Sequence, residues 1–186
     1  LGYFLKKKVF WVMAPNVFLL GFVNTAIFFF QVVVGESKGW STEWVAGSLA
    51  AFAACSALSM FIAGPLVDRF TARRLFPLYF FPYILGLVLL SSGTAHWIYP
   101  ASLFLMGFSN GLGSTIKSAL QAEMFGTRYL GSVRSLFTVI MVVSTALGPL
   151  FFGQLLDRAI SIDLLLLGCA LLIILSTGQR FRMWKM

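Results

Sequence analysis

Residues 44–74 read WVAGSLAAFAACSALSMFIAGPLVDRFTARR. Trp44–Val67 runs 24 residues without a charge, and four charges then fall within seven positions: Asp68, Arg69, Arg73 and Arg74. A helix that crosses the ~30 Å hydrocarbon core of a bilayer needs ~20 mostly apolar residues. The stretch therefore reads as a membrane span that ends in a basic loop, and this decides the class of fold. The flanks repeat the pattern. Upstream, Val9–Val34 is 26 residues without charge. Downstream, Leu75–Ile116 holds 42 residues with no Asp, Glu, Lys or Arg, enough for two spans, with Ser91-Ser92-Gly93-Thr94-Ala95-His96 as the turn between them. Ser135–Leu156 adds 22 more, and Ala159–Gln179 is interrupted only by Asp163. The sequence predicts an all-α membrane protein, one six-helix transmembrane domain over residues 1–186, with spans near 9–34, 44–67, 75–93, 97–119, 133–156 and 160–179. Runs this long are unlike barrel strands, which alternate over ~10 residues.

Composition agrees: 59% of the 186 residues are hydrophobic, 11% are charged, and the mean hydropathy is +0.90. This excludes a disordered chain and an ordinary soluble domain, where charged residues run at ~25%. Cys55 and Cys169 lie too far apart for a redox or metal motif. The net charge of +8 resolves into sidedness. With six spans, one set of tails and loops carries 11 basic residues, among them Lys6–Lys8, Arg69, Arg73, Arg74, Arg128 and Arg134, and the other set carries two, Lys38 and Arg158. Lys and Arg in short loops stay on the cytoplasmic side, so both termini are expected there. The basic surplus then meets anionic lipid, and no nucleic-acid partner is implied. Arg180–Lys185, with Phe181 and Trp184, reads as an interfacial anchor. No signal peptide opens the chain, which starts at Leu1 and is expected to be a fragment or a processed product.

Two span endings match. Gly64-Pro65-Leu66-Val67-Asp68-Arg69 and Gly153-Gln154-Leu155-Leu156-Asp157-Arg158 both read G-x-L-x-D-R, 89 positions apart. Each closes the middle helix of a three-helix set, and the two face opposite sides. That is the trace of an inverted three-plus-three repeat, a building unit of secondary transporters.

The stretch Gly64 to Arg74 resembles the cytoplasmic loop signature of the major facilitator superfamily, roughly G-x-x-x-D-R-x-G-R-R, at Gly64, Asp68, Arg69, Arg73 and Arg74. Thr71 and Ala72 stand where that signature has its glycine. Glu123 to Ser135 is similar to the corresponding loop between the fourth and fifth spans in bacterial members, and so is Ala146 to Gly153. The form resembles the looser copy found in the C-terminal half of these carriers. The resemblance implies half of a twelve-helix transporter fold in a bacterial cytoplasmic (inner) membrane. It implies transport of a small solute by alternating access, with a missing N-terminal six-helix half or a second copy as partner. It also implies that Gly64, Asp68, Arg69, Arg73 and Arg74 latch one half to the other. The alternative is a six-helix membrane protein that does not transport, a truncated remnant or an assembly partner.

Polar groups inside spans face protein or a wet cavity. In the first span these are Asn16, Asn24 and Gln31, with Asn16 and Asn24 about 2.2 turns apart on a shared face. In the fourth, Asn110 and Ser114 lie one turn apart. These five are the candidates for the solute pathway; the competing reading is hydrogen bonding between helices. The second span is rich in small residues, which suits close packing. Gly107-Phe108-Ser109-Asn110-Gly111 fits G-x-x-x-G, a packing motif, and also G-x-S-x-G, the hydrolase elbow. The elbow needs a histidine near Ser109, and the sole histidine, His96, belongs to a loop on the far side. Lys117 and Arg134 are candidates for anion attraction at the cytoplasmic mouth, with pairing to Glu123 or plain anchoring at the membrane surface as the alternatives. Gly148 and Pro149 mark a kink in the fifth span. No Asp, Glu or His lies deep in a span, so no catalytic, metal or cofactor site is expected, and proton coupling would need an acid from elsewhere.

Overall fold

The computed structural model describes residues 6–184, with side chains through residue 178. Every regular element in this range is helical. In chain order these are α1 (Lys8–Phe29), α2 (Gln31–Ser37), α3 (Thr42–Phe70), α4 (Ala72–Leu75), α5 (Phe80–Ser91), α6 (Ile98–Phe125), α7 (Leu130–Asp157) and α8 (Ile162–Trp184), with a 3-10 turn at Thr127–Tyr129 before α7.

Two expected spans are divided. The first breaks at Phe30 (φ −96°, ψ 17°), and α2 carries the chain on to Ser37. The third is split into α4 and α5 by turns over residues 76–79. Pro77 cannot donate to the helix ladder, and Leu78 and Tyr79 instead both donate to the Leu75 carbonyl. Ser41 starts α3 as its cap, accepting from the Trp44 N–H at 3.3 Å, which satisfies one of the orphan donors of the first turn.

Among the described residues, four segments are long and apolar enough to cross a membrane: Lys8–Phe29, Thr42–Phe70, Ala72–Ser91 and Thr127–Asp157. The apolar part of α8, Ile162–Gly178, is shorter. At 28 residues α6 has the length, about 42 Å, but it is too polar to qualify by composition. The packing explains why. α6 runs along α3 on one side and α5 on the other, while α1 packs on α7 and on α8, and α5 on α8. With protein on both sides, α6 buries Ser102, Ser109 and Gln121 where lipid never reaches them.

Glycines set the closest approaches. A Cβ on Gly107 would strike the Phe52 carbonyl and one on Gly111 the Ser56 carbonyl, so α6 lies backbone to backbone on α3. Gly148 meets the Phe22 carbonyl in the same way where α7 crosses α1. α7 is helical from Leu130 to Asp157 with Pro149 inside it, and Gly148 is where it lies closest to α1.

The end of the bundle that holds the turn after α2 is tied across its loops. Trp40 Nε1 donates to the Thr94 carbonyl at 2.7 Å and Trp44 Nε1 to the His96 carbonyl at 3.0 Å. Lys38, its side chain only 4% exposed, forms an ion pair with Asp163 at the start of α8. At the other end, Glu123 Oε1 accepts from the Ala72 N–H at 3.1 Å, and Lys7 Nζ donates to the Met124 carbonyl at 3.0 Å.

Candidate functional site

Between α1, α5, α6 and α7 lies a cavity of about 230 Å3. α1 supplies Val17, Leu20, Gly21, Asn24 and Thr25; α6 supplies Ser109, Asn110, Gly113 and Lys117; Met141 and Thr145 come from α7, and Tyr79 and Tyr83 stand behind. The polar groups are held by a short network. Tyr83 donates its hydroxyl to Asn24 Oδ1 at 3.4 Å, Asn110 Nδ2 donates to Ser56 Oγ at 3.1 Å, and Ser109 Oγ donates to the Tyr79 carbonyl. Gly113 gives Tyr79 its place: a Cβ there would stand 2.6 Å from the ring.

The cavity brings together three of the pathway and anion-attraction candidates from the sequence, Asn24, Asn110 and Lys117, along with Ser109 of α6. Asn16 is elsewhere. It is buried against α8, accepting from Ser176 Oγ at 2.8 Å and donating from Nδ2 to the Val12 carbonyl at 3.1 Å. Eight residues along a helix rotate the side chain by ~80° beyond two full turns, enough to turn Asn16 to α8 and Asn24 to the cavity. Gln31 starts α2, half-buried, with its Oε1 unpaired. Ser114 bonds back to the Gly111 carbonyl at 2.7 Å and takes no part in the lining.

Lys117 is half-buried and forms no ion pair among the described residues. Glu123 is committed to the Ala72 N–H instead. Arg134 is outside the cavity, donating to Ser118 Oγ at 2.6 Å beside Lys117. The loop residues Asp68, Arg69, Arg73 and Arg74 are all exposed, and the Arg69 guanidinium sits 5.3 Å from the Phe70 ring. At Gly64 a Cβ would meet nothing within 4 Å. Ser109 and His96 are not paired: the serine is bound to the Tyr79 carbonyl and the imidazole lies against Trp44, ring centroids 6.0 Å apart. Among the described residues no three His, Cys, Asp or Glu side chains group as metal ligands. The side chains of Arg180–Lys185 lie outside the described residues.

Tyr79 and Tyr83 were not among the candidates from sequence. Each has a buried neighbour one helical turn away, which reads as ordinary core; the signal that separates them is their alignment with the polar groups of α1 and α6.

Long apolar helices, a cavity between them lined by polar groups from several helices, and basic loops mark a helical membrane protein of the transporter class. The family model of the Major Facilitator Superfamily matches residues 1–149, and the chain belongs to that family. A stretch of 102 residues, 54% of the chain, is 32% identical to a protein of Arabidopsis thaliana described as probable plastidic glucose transporter 1, and covers 18% of that protein's length.

Proposed function

We propose that the chain forms one six-helix wall of a secondary carrier that moves a small solute by alternating access, with the α1–α6 cavity as its part of the route. The observation that carries this reading is the meeting of Asn24 and Asn110, from two different helices, in one cavity within the membrane-crossing bundle. Polar side chains at that depth are costly unless they are paired or face water or solute.

An inverted three-plus-three repeat is the arrangement proposed for this wall. Shifting by three spans turns the α1–α7 pair into the α6–α3 pair and the α5–α6 pair into the α8–α1 pair, and all four pairs are in contact. Positive φ angles recur in the same pattern. Gly39 and Gly126 follow the first span of each set, Thr71 and Ala159 the second, at nearly the offset of the two G-x-L-x-D-R endings. The basic residues of the loops support placing both termini on the cytoplasmic side of the membrane, and the resemblance to bacterial carriers supports a bacterial inner membrane. Asp68, exposed and unpaired among the described residues, would meet a second six-helix half.

The test is uptake by the complete carrier in proteoliposomes across a panel of sugars, monocarboxylates and amines. Saturable uptake of at least one solute is expected, reduced at least tenfold by Asn24→Leu or Asn110→Leu while membrane insertion is unchanged. Uptake indifferent to both substitutions would assign the two asparagines to helix packing.

A further inference from the structure

The lining of the cavity is specific about charge. It contains one cation, Lys117, and no carboxylate. The nearest acid along α6, Glu123, is held by the Ala72 N–H. A partly buried ammonium without a counter-ion costs several kcal/mol relative to one that has it, so an anion entering the cavity restores a missing partner.

The remaining polar groups narrow the choice further. The Ser109 and Thr145 hydroxyls both donate to backbone carbonyls, Tyr79 and Val142, and the Asn110 amide donates to Ser56. The two hydroxyl donors and one of the two Asn110 N–H groups are spent inside the protein. Asn24 accepts from Tyr83 with its oxygen and keeps its Nδ2 for a ligand. Lys117 is the one cation among the lining residues, beside the Asn24 amide, Thr25 and the Tyr79 hydroxyl, which is buried without a hydrogen-bond partner among the described residues, and Val17, Leu20 and Met141 add apolar surface to the same lining. The cavity, of about 230 Å3, has room for a small solute.

We infer that the cavity binds a small organic monoanion, a monocarboxylate with a short apolar tail, its carboxylate on Lys117 and Asn24 and its tail against Val17, Leu20 and Met141. This rests on the reading of the cavity as the solute site.

The experiment is equilibrium binding of radiolabelled butyrate, benzoate and glucose to the purified full chain, in the unsubstituted protein and in Lys117→Gln, Lys117→Arg and Asn24→Leu. Saturable binding of a carboxylate is expected, with glucose failing to compete. Lys117→Gln should weaken it about thirtyfold or more, the scale of removing one partner from a desolvated charge pair. Lys117→Arg, which keeps the charge, should retain it within a few-fold, and this rescue separates a lost contact from a lost fold. Absence of carboxylate binding, or binding indifferent to Lys117→Gln, overturns the inference. Glucose binding that is lost in Asn24→Leu but not in Lys117→Gln would overturn the anion and keep the cavity as a solute site. Carboxylate binding that ignores both Asn24→Leu and Lys117→Gln would overturn both.

Discussion

Thr71 closes α3 with φ +68° and ψ 143°, a conformation that suits glycine and strains a β-branched residue. The loop signature carries glycine at this point, and the chain has kept the turn while replacing the residue. Gly126 closes α6 in nearly the same conformation, φ +79° and ψ 159°, without a side chain to strain. Thr71→Gly should therefore stabilise the protein by about 1 kcal/mol, the low end of the cost of such a backbone, measured as a rise in thermal midpoint in detergent. A second residue-scale test concerns Lys38 and Asp163. Lys38 is almost wholly buried and Asp163 is about half exposed, so solvent screens part of the attraction. Lys38→Ala should cost about 1–3 kcal/mol, between the values for surface and buried pairs. In a double-mutant cycle with Asp163→Ala the two losses should fall short of additive; full additivity would mean that the pair contributes nothing. Neither feature was legible in the sequence. Thr71 was visible as a departure, but whether the backbone would change or strain was not. Lys38 read as a loop charge and Asp163 as an interruption of the last apolar run, because pairing over 125 residues depends on how α2 and α8 are brought together.

At the scale of elements, the runs that face lipid were the easiest to read, since lipid demands apolar side chains all along them. α6 was the reverse. Its glycines and polar residues lower its hydropathy because α3 and α5 cover it, and the same residues build the cavity. Gly107 and Gly111 fitted two motifs in the sequence, and the close approach to Phe52 and Ser56 accounts for both glycines as packing. Gly111→Leu should push α6 off α3 and destabilise by about 1–3 kcal/mol, the usual cost of overpacking. Gly168→Ala is its control. A Cβ there meets nothing within 4 Å, and in the interior of α8 alanine should be neutral or stabilise by up to ~1 kcal/mol. Thermal melts of the two variants in one detergent distinguish a contact effect from a general intolerance of side chains in helices. The breaks at Phe30 and at residues 76–79 escaped the sequence reading because hydropathy does not register an interruption of the helix within an apolar run. The pathway asparagines were legible only as a set: Asn24 and Asn110 share the cavity, whereas the rotation between Asn16 and Asn24 turned the former to Ser176.

For the whole molecule, the question is which end of the bundle faces the cytoplasm. α3 has 29 residues, about 44 Å, so Glu43 at its start and Arg74 beyond its end stand at opposite ends of the bundle. Both are exposed. Lys38 would be a poor reporter, since its side chain is enclosed with Asp163, and a cysteine there would test burial rather than sidedness. The native thiols add little background, because Cys55 and Cys169 are buried within helices. With both replaced by alanine, Glu43→Cys should react with a membrane-impermeant maleimide added outside intact cells. Arg74→Cys should react only after the membrane is opened. The bias of basic residues toward the Arg74 end requires this order. The reverse order would invert the protein and bring Trp40, Trp44 and the Lys38–Asp163 pair to the cytoplasmic face. Reaction of both from outside would mean that α3 does not cross the membrane, and the cavity behind it would then lie outside any transmembrane route.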